Sequence, residues 1–291
     1  MKWQIPAKTF LLGEYAALSE GPALLVTTSP CFELSLSEEP ELLGIHPESP
    51  AGLLWQQEDR AGKGLSFHDP YSGLGGLGAS SAQFVGCYLA ICALQNKAPD
   101  WHEMLSAYYQ YAFSGKGLRP SGYDVIAQAQ QACVFINKKQ QINEIYQWPF
   151  ADLSFTLIHT EKKLATHHHL QESRSAIDTI LLGALVEQAR HAFEQSDSEL
   201  LVHCINRYHQ ELSALNLVAA HSAALINEYT SYHEILACKG CGALGADVLL
   251  LISKRDDAYE LQQKLKAQGK IILASELCLY LPHFDYFKNN P

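Results

Sequence analysis

A glycine-rich stretch at residues 73 to 83, GLGGLGASSAQ, leads directly into a densely apolar segment. That segment predicts a mostly buried helix that ends within residues 96 to 99. Glycines let the backbone approach a ligand closely, and the unpaired N–H groups of a first helical turn attract anions. Residues 73 to 78, hereafter the glycine loop, are therefore a candidate phosphate site, and Ser80 and Ser81 add hydroxyl groups that suit a phosphate or Mg²⁺.

The glycine loop differs from the common P-loop, because no Lys-Ser or Lys-Thr pair follows its last glycine. A glycine-rich turn with a serine cap and no ligand is the alternative interpretation. A second glycine cluster, KGCGALGAD at residues 239 to 247, joins two apolar segments and by itself equally fits a wide hairpin turn. A third stretch, PAKTFLLGEY at residues 6 to 15, places Lys8 at the start of a predicted strand and Glu14 at its end.

Hydrophobic patterning and turn residues predict the elements that hold these stretches. In the first half of the chain we expect strands at residues 3–5, 9–12, 23–27, 31–36, 64–68 and 133–137, and helices at residues 101–114 and 125–131. The acidic, proline-containing residues 37–63 are predicted to be a long excursion that lies over a ligand.

In the second half we expect strands at residues 153–159, 235–238, 247–253 and 270–274, and helices at residues 177–193, 199–212, 219–232 and 258–268. Strands mixed with helices in this order predict an α+β protein. A boundary near Trp148 and Pro149 divides it into domains at residues 1–149 and 150–291.

Composition limits the classes of partner. The chain has 291 residues, and its 21 Lys and Arg against 31 Asp and Glu give a formal net charge of −10. This acidity argues against a broad nucleic-acid-binding face. The sequence contains neither an apolar signal segment at its start nor a run suited to spanning a bilayer. We therefore expect a soluble, cytoplasmic protein, monomeric or homodimeric, without nucleic-acid or membrane partners.

Metal or redox chemistry is weakly indicated at two places. Cys238 and Cys241 form a C-x-x-C pair, but it lacks the second pair of a zinc site and the helix start of a redox site. The histidines at residues 167–169 are adjacent, and adjacent side chains diverge on regular backbone. Trp55, in the acidic excursion, fits either stacking on adenine or a hydrophobic plug.

Together the three stretches resemble the signature motifs of the GHMP kinases, the family of galactokinase, homoserine kinase, mevalonate kinase and phosphomevalonate kinase. Residues 6–15 are similar to its P-G-K motif with a downstream G-E, residues 70–83 to its P-x-x-x-G-L-G-S-S-A loop, and residues 242–247 to its G-A-G-G-G motif. Residues 120–124, PSGYD, resemble the P-S-G-x-D of the mevalonate-pathway members. The motifs occur in the family's order and extend over most of the chain.

The resemblance implies a two-domain GHMP kinase fold, in which an N-terminal domain like domain 2 of ribosomal protein S5 binds ATP and a ferredoxin-like C-terminal domain closes the cleft. It implies that Lys8 and Asp124 are the catalytic pair and that Ser80 contacts Mg²⁺. The expected ATP contacts are Gly75, Gly76, Gly78, Ala79, Ser80 and Ser81. The expected substrate contacts are Glu14, Lys116, Arg119, Ser121, Gly122, Thr166, Gly242, Ala243 and Gly245.

Physical chemistry supports these implied roles. Phosphoryl transfer is catalysed mainly by alignment and charge neutralisation. A lysine keeps a neighbouring aspartate ionised, so that Asp124 could accept the proton of an alcohol acceptor. A purely structural ion pair between Lys8 and Asp124 is the alternative.

The sequence is compatible with two acceptors of the phosphoryl group, phosphomevalonate and mevalonate. Gly-Glu-Tyr at residues 13–15 and Asp247 resemble phosphomevalonate kinases, and Lys116 and Arg119 could bind the phosphate of phosphomevalonate. The PSGYD sequence is at home in mevalonate kinases, so mevalonate is the alternative acceptor. Diphosphomevalonate decarboxylase fits less well, because its first motif usually reads differently.

Three departures from the family pattern are the basis for an alternative of a different class, a non-catalytic ligand sensor that keeps the fold. Phe113 stands at the spacing where mevalonate kinases carry a Mg²⁺-binding glutamate. Leu244 and Ala246 replace glycines of the third motif and are expected to narrow or rigidify its turn.

Overall fold

The computed structural model describes residues 1–58, 62–117, 119–162 and 179–281. The strands of its first sheet are β1 (Lys2–Leu12), β2 (Ala23–Ser37), β3 (Leu42–Leu43), β4 (Gly64–His68), β5 (Cys133–Asn137) and β6 (Ile142–Tyr146). They lie in the order β3-β4-β2-β5-β6, and β1 pairs antiparallel with β2. The long, antiparallel β1–β2 pair is therefore the main structural support of this half. Lys8 lies on β1.

The helices described in this half are α1 (Pro50–Gln57), α2 (Ala79–Leu94), α3 (Trp101–Ala112) and α4 (Tyr123–Gln128). Helix α2 is apolar on nearly every side and mostly buried, and it packs against β1, β2, α1 and α4. A helix that is hydrophobic all round belongs in a protein core. The start of α2, directly after the glycine loop, is therefore held by core packing.

The second sheet contains β7 (Leu153–His159), β8 (Ile235–Cys241), β9 (Val248–Lys254) and β10 (Ile272–Ser275). Its strand order is β10-β7-β9-β8 and every pairing is antiparallel. Helices α5 (Thr179–Gln195), α6 (Ser198–Ala214) and α7 (Ala220–Tyr229) precede β8, and α8 (Arg255–Ala267) lies between β9 and β10. Strand, helices, two strands, helix and strand in this arrangement form the ferredoxin-like pattern, and the predicted α+β class is confirmed.

Strands β1 and β2 are each continuous where two shorter strands were predicted. Their register shifts between Ile5 and Ala7, which pair with Phe32 and Thr28. This irregularity accommodates the turn residues Ser29 and Pro30 without ending either strand. Strand β6 was missed altogether.

The acidic excursion is more ordered than predicted. It contains β3 and α1, and α1 packs on α2 and α3. Trp55 on α1 is only 1% exposed and belongs to the core, as expected of a hydrophobic plug and not of a ring stacked on adenine.

One apolar cluster extends from Trp3 to Ala274 and takes side chains from both sheets. A boundary at residues 149 and 150 separates the two sheets, but the two halves share this core. The division into domains at that point remains a prediction. Within the described ranges, the helices are too short or too polar to cross a lipid bilayer.

Candidate active site

Lys8 and Asp124 form an ion pair at the centre of the candidate site. The Lys8 Nζ atom lies 2.8 Å from Asp124 Oδ1, and the two side chains are 8% and 36% exposed. The ammonium group is therefore nearly covered, while the carboxylate still reaches solvent. The backbone N–H of Lys8 donates to the carbonyl of Leu77 at 3.0 Å, which ties β1 to the glycine loop.

Asp124 lies in the first turn of α4, and the residues before it fix where that helix begins. Gly122 has a φ of 78°, and a Cβ there would lie 2.6 Å from the Tyr109 hydroxyl, so a larger residue does not fit. The carbonyl of Ser121 accepts hydrogen bonds from Tyr109 at 2.7 Å and from Lys138 at 3.3 Å. These contacts hold Asp124 opposite Lys8.

The glycine loop lies directly beside Lys8. Gly76 and Gly78 have φ values of 88° and 84°. A Cβ on Gly78 would lie 2.8 Å from Lys8 Cε. Residue 78 therefore has to be small, because its backbone is left-handed and the Lys8 side chain lies against it.

The two serines after the loop have different environments. Ser81 is buried, and its hydroxyl donates to the carbonyl of Gly78 at 3.0 Å. Ser80 is exposed in the first turn of α2, next to half-buried Ala79. Ser80 is therefore open to solvent at the start of α2, whereas the Ser81 hydroxyl is already bonded to the backbone of the glycine loop.

The second glycine cluster forms a tight turn after β8. Gly240 and Gly245 face each other so closely that a Cβ on Gly240 would lie 2.5 Å from Gly245 Cα. Gly242 has φ 76° and ψ −170°, a conformation that favours glycine, and Ala243 follows it in a short 3₁₀ turn. Leu244 in the same turn has a φ of 57°, which is strained for a bulky residue.

Tyr15 anchors this strained turn. The Leu244 N–H donates to the Tyr15 hydroxyl at 2.9 Å, and that hydroxyl donates to the carbonyl of Leu217 at 3.4 Å. The Leu244 carbonyl accepts from the Ala219 N–H at 2.9 Å. Burial raises the pKa of Tyr15 to about 12, so its hydroxyl keeps its proton at neutral pH.

The two residues that follow the second glycine cluster's turn, Asp247 and Val248, lie against the glycine loop. A Cβ on Gly75 would lie 2.8 Å from Asp247 Oδ2, and one on Gly76 would lie 2.6 Å from Val248 Cγ2. The structure thus brings the glycine loop, the second glycine cluster and the Lys8–Asp124 pair into one site.

Glu14 differs from its predicted role as a substrate contact. Its Oε1 atom lies 3.0 Å from Lys239 Nζ, and the two side chains are 3% and 0% exposed. Burial is the largest single influence on Lys239 and lowers its pKa, but the charge and hydrogen bonding of Glu14, together with smaller contributions from nearby cysteines, raise that pKa overall. Glu14 therefore holds a buried cation of β8 and has little surface to offer a substrate.

The basic residues before α4 lie at the surface. Arg119 and Lys116 are exposed, and the Arg119 guanidinium stacks 3.8 Å above the ring of Tyr109. Thr166 and the histidines at 167–169 lie outside the described residues. The stacking holds the Arg119 guanidinium against α3.

Sequence reasoning missed Lys239, the anchoring role of Tyr15, and Gln128. A lysine inside an otherwise apolar strand signals a buried charge with a partner, which could have pointed to Lys239. Gln128 follows Asp124 by one helical turn and is buried, a position at which an amide needs hydrogen-bond partners.

The cysteine pair has no visible metal or redox setting. Cys238 and Cys241 lie in β8, and burial raises the pKa of both thiols. Among residues 1–58, 62–117, 119–162 and 179–281, no group of three or more His, Cys, Asp or Glu side chains is arranged to hold a metal ion.

The fold is similar to that of solved GHMP kinases. Phosphomevalonate kinase of Streptococcus pneumoniae, in complex with phosphomevalonate and AMPPNP, matches with a TM-score of 0.76 and 16% identity over 94% of this chain and 99% of that chain. The mevalonate kinase of Methanococcus jannaschii matches with a TM-score of 0.73 and 15% identity, over 94% of this chain and 97% of that chain. Galactokinase of Lactococcus lactis, complexed with galactose, matches with a TM-score of 0.70 and 12% identity, over 93% of this chain and 92% of that chain.

The sequence matches neither a protein-family model nor a curated protein. The structural likeness nevertheless spans nearly the whole chain and nearly the whole of each of these solved kinases. The predicted two-domain GHMP kinase fold is therefore confirmed.

Proposed function

We propose that this chain, which has the GHMP kinase fold, is an ATP- and Mg²⁺-dependent kinase of the mevalonate pathway that transfers the γ-phosphoryl group of ATP to phosphomevalonate. The observation that carries the proposal is the ion pair of Lys8 and Asp124, 2.8 Å apart, directly beside the glycine loop at the start of α2. Solved kinases of similar fold act on small molecules, and one of them holds phosphomevalonate and AMPPNP.

In this proposal each group of the site has one task. The N–H groups of the glycine loop and of the first turn of α2 bind the phosphates of ATP. Lys8 neutralises charge that develops on the transferred group, and Asp124 orients the acceptor oxygen or takes its proton. Mg²⁺ fits the exposed hydroxyl of Ser80 together with phosphate oxygens, and when bound it supplies further charge neutralisation.

Phosphomevalonate is the first choice of acceptor because of the cations before α4. Arg119 is exposed and held by its stacking on Tyr109, and Lys116 is exposed nearby in the chain. Exposed arginine and lysine side chains can bind a phosphate monoester through charge-assisted hydrogen bonds. The Gly242 to Gly245 turn is the proposed contact for the rest of the acceptor.

Mevalonate is the second candidate, and a specific observation favours it. A carboxylate 2.8 Å from a lysine suits removal of a proton from an alcohol, which mevalonate has and an ionised phosphate acceptor does not need. Solved mevalonate kinases also share the fold. Both acceptors therefore have to be compared directly.

The decisive experiment measures ADP release from Mg²⁺-ATP with phosphomevalonate, with mevalonate, with galactose and without acceptor. Turnover with phosphomevalonate alone is expected, and Arg119→Met is expected to raise the KM for it by about tenfold, while the exposed control Lys266→Met leaves it unchanged. Turnover with mevalonate alone would transfer the assignment to the second candidate. ATP binding without turnover on any acceptor would overturn the kinase proposal and favour a ligand sensor.

A further inference from the structure

We propose that Gln128 is a positioning residue that locks the glycine loop against the strand that carries Lys8. Its effect on turnover rests on the proposed kinase function, whereas its effect on the loop does not. Gln128 is the last residue of α4 and lies one turn after Asp124. The same short helix therefore carries the catalytic carboxylate and this amide.

The Gln128 amide joins two segments that are distant in sequence. The residue is only 3% exposed. Its Nε2 atom donates to the carbonyl of Pro6 at 2.8 Å and to the carbonyl of Gly78 at 3.1 Å. Both partners are acceptors, so the network assigns the nitrogen, and not the oxygen, of the amide to this position.

The two carbonyls belong to places where the backbone departs from regular pairing. Pro6 lies at the register shift between Ile5 and Ala7, where β1 and β2 do not pair residue for residue. Gly78 is the left-handed residue that precedes α2. A buried carbonyl needs a donor, and Gln128 supplies one at Pro6 and an additional one at Gly78.

Gln128 thereby helps to fix the distance between the glycine loop, which is the proposed phosphate site, and Lys8. Pro6 precedes Lys8 by two residues, and Gly78 ends the glycine loop. Lys8 also bonds the loop through its own N–H, so Gln128 is a side-chain brace beside that backbone contact. In phosphoryl transfer a misplacement of about 1 Å can lower the rate by roughly 100-fold.

The test replaces Gln128 with methionine, which has nearly the same shape but donates no hydrogen bond. Gln110→Met, at an exposed position of α3, is the matched control. Hydrogen exchange is measured by mass spectrometry at the Lys8 and Ala82 amides, which donate to Leu77 and Gly78. We expect exchange at both amides to be about tenfold faster or more in Gln128→Met and unchanged in the control.

The kinetic measurement separates positioning from general weakening. In Gln128→Met we expect kcat to fall by about tenfold or more, while the Kd for ATP changes by less than about threefold. If Gln128→Met fails to fold, Gln128→Asn, which keeps an amide but is one methylene too short, is measured with the same expectations.

Unchanged exchange at both amides in a folded variant would overturn the proposal. So would a fall in kcat that merely follows a weaker Kd for ATP. If the wild-type protein turns over neither acceptor, the proposed function fails, and the exchange measurement alone decides the role of Gln128.

Discussion

Glu14, in the turn after β1, and Lys239, in the middle of β8, form a buried ion pair with 3.0 Å between Oε1 and Nζ. The Lys239 ammonium also lies 5.6 Å from the centre of the Tyr208 ring. Tyr15, the residue after Glu14, holds the strained turn that follows β8. Two consecutive residues of the first half thus fix the second glycine cluster against the site.

Removing one partner of the Glu14–Lys239 ion pair should lower the stability of the protein. Lys239→Met leaves the Glu14 carboxylate buried without its cation, and we expect the free energy of unfolding to fall by about 3 to 5 kcal/mol. The double variant Glu14→Gln, Lys239→Met removes both charges and should be less destabilised than the single variant. Lys63→Met, which breaks the surface pair with Glu38, should cost less than about 1 kcal/mol. Urea denaturation measures all three, and a double variant at least as destabilised as Lys239→Met would contradict the coupling.

The raised pKa of Tyr15 predicts that the folded protein loses stability at alkaline pH. The phenol ionises near pH 10.0 in the unfolded chain and near pH 12 in the folded protein. Between these values the folded state binds the proton and the unfolded state releases it, so stability falls as pH rises. The wild-type protein should lose about 2 to 3 kcal/mol from this group between pH 10 and pH 12.

Tyr15→Phe removes that group and should make the decline in stability shallower by the same amount. At pH 8 the variant should already be less stable by about 1 to 3 kcal/mol, because the N–H of Leu244 loses its acceptor. Denaturation curves across the pH range compare the two proteins. Parallel curves for wild type and variant would show that Tyr15 does not cause the decline.

Gly78→Ala should lower activity by more than its backbone strain alone would explain. The new Cβ meets Lys8 Cε at 2.8 Å and Gln128 Nε2 at 3.1 Å. Gly269→Ala is the matched control, because its φ of 77° is similar to the 84° of Gly78 and its Cβ meets nothing within 4 Å. Both should lose about 1 kcal/mol of stability from a left-handed alanine. A fall in kcat of about tenfold or more is expected for Gly78→Ala alone, and equal kinetics in the two variants would contradict it.

Asp124→Asn keeps the shape of the side chain and removes its charge. With an alcohol acceptor we expect kcat to fall by about 10² to 10⁴, because the variant cannot take the proton. With phosphomevalonate the loss should be smaller, since an ionised phosphate has little need of a base. ATP binding by calorimetry should be preserved, and Asp256→Asn, at an exposed position of α8, is the control. Full activity of Asp124→Asn with every acceptor would remove Asp124 from the catalytic pair.

The local part of the site was predictable from the sequence. The glycine loop, the PSGYD segment and Lys8 at the start of the chain are each recognised within a few residues, because glycine and helix-start chemistry act at short range. The structure places them together as expected, with Lys8 and Asp124 2.8 Å apart.

The long-range part was not predictable in the same way. Which carbonyls Gln128 reaches depends on a register shift at Pro6, and strand register is set by the pairing of distant segments. Glu14 was predicted to contact substrate from its place in the family motif, and the motif does not reveal its buried partner Lys239, which lies far along the chain. Strand β6 was missed because its side chains are only half-buried or exposed, which leaves a weak apolar pattern.

The apolar cluster that both sheets share also limits how the protein can move. A hinge that swung one sheet away from the other would expose that cluster and carry the Glu14–Lys239 pair into water. Such a hinge would therefore have to break the apolar contacts and the buried ion pair that join the two halves. We therefore expect that, in the proposed kinase, substrate and product pass by way of loop motions that are smaller and faster than a wide opening of the two sheets.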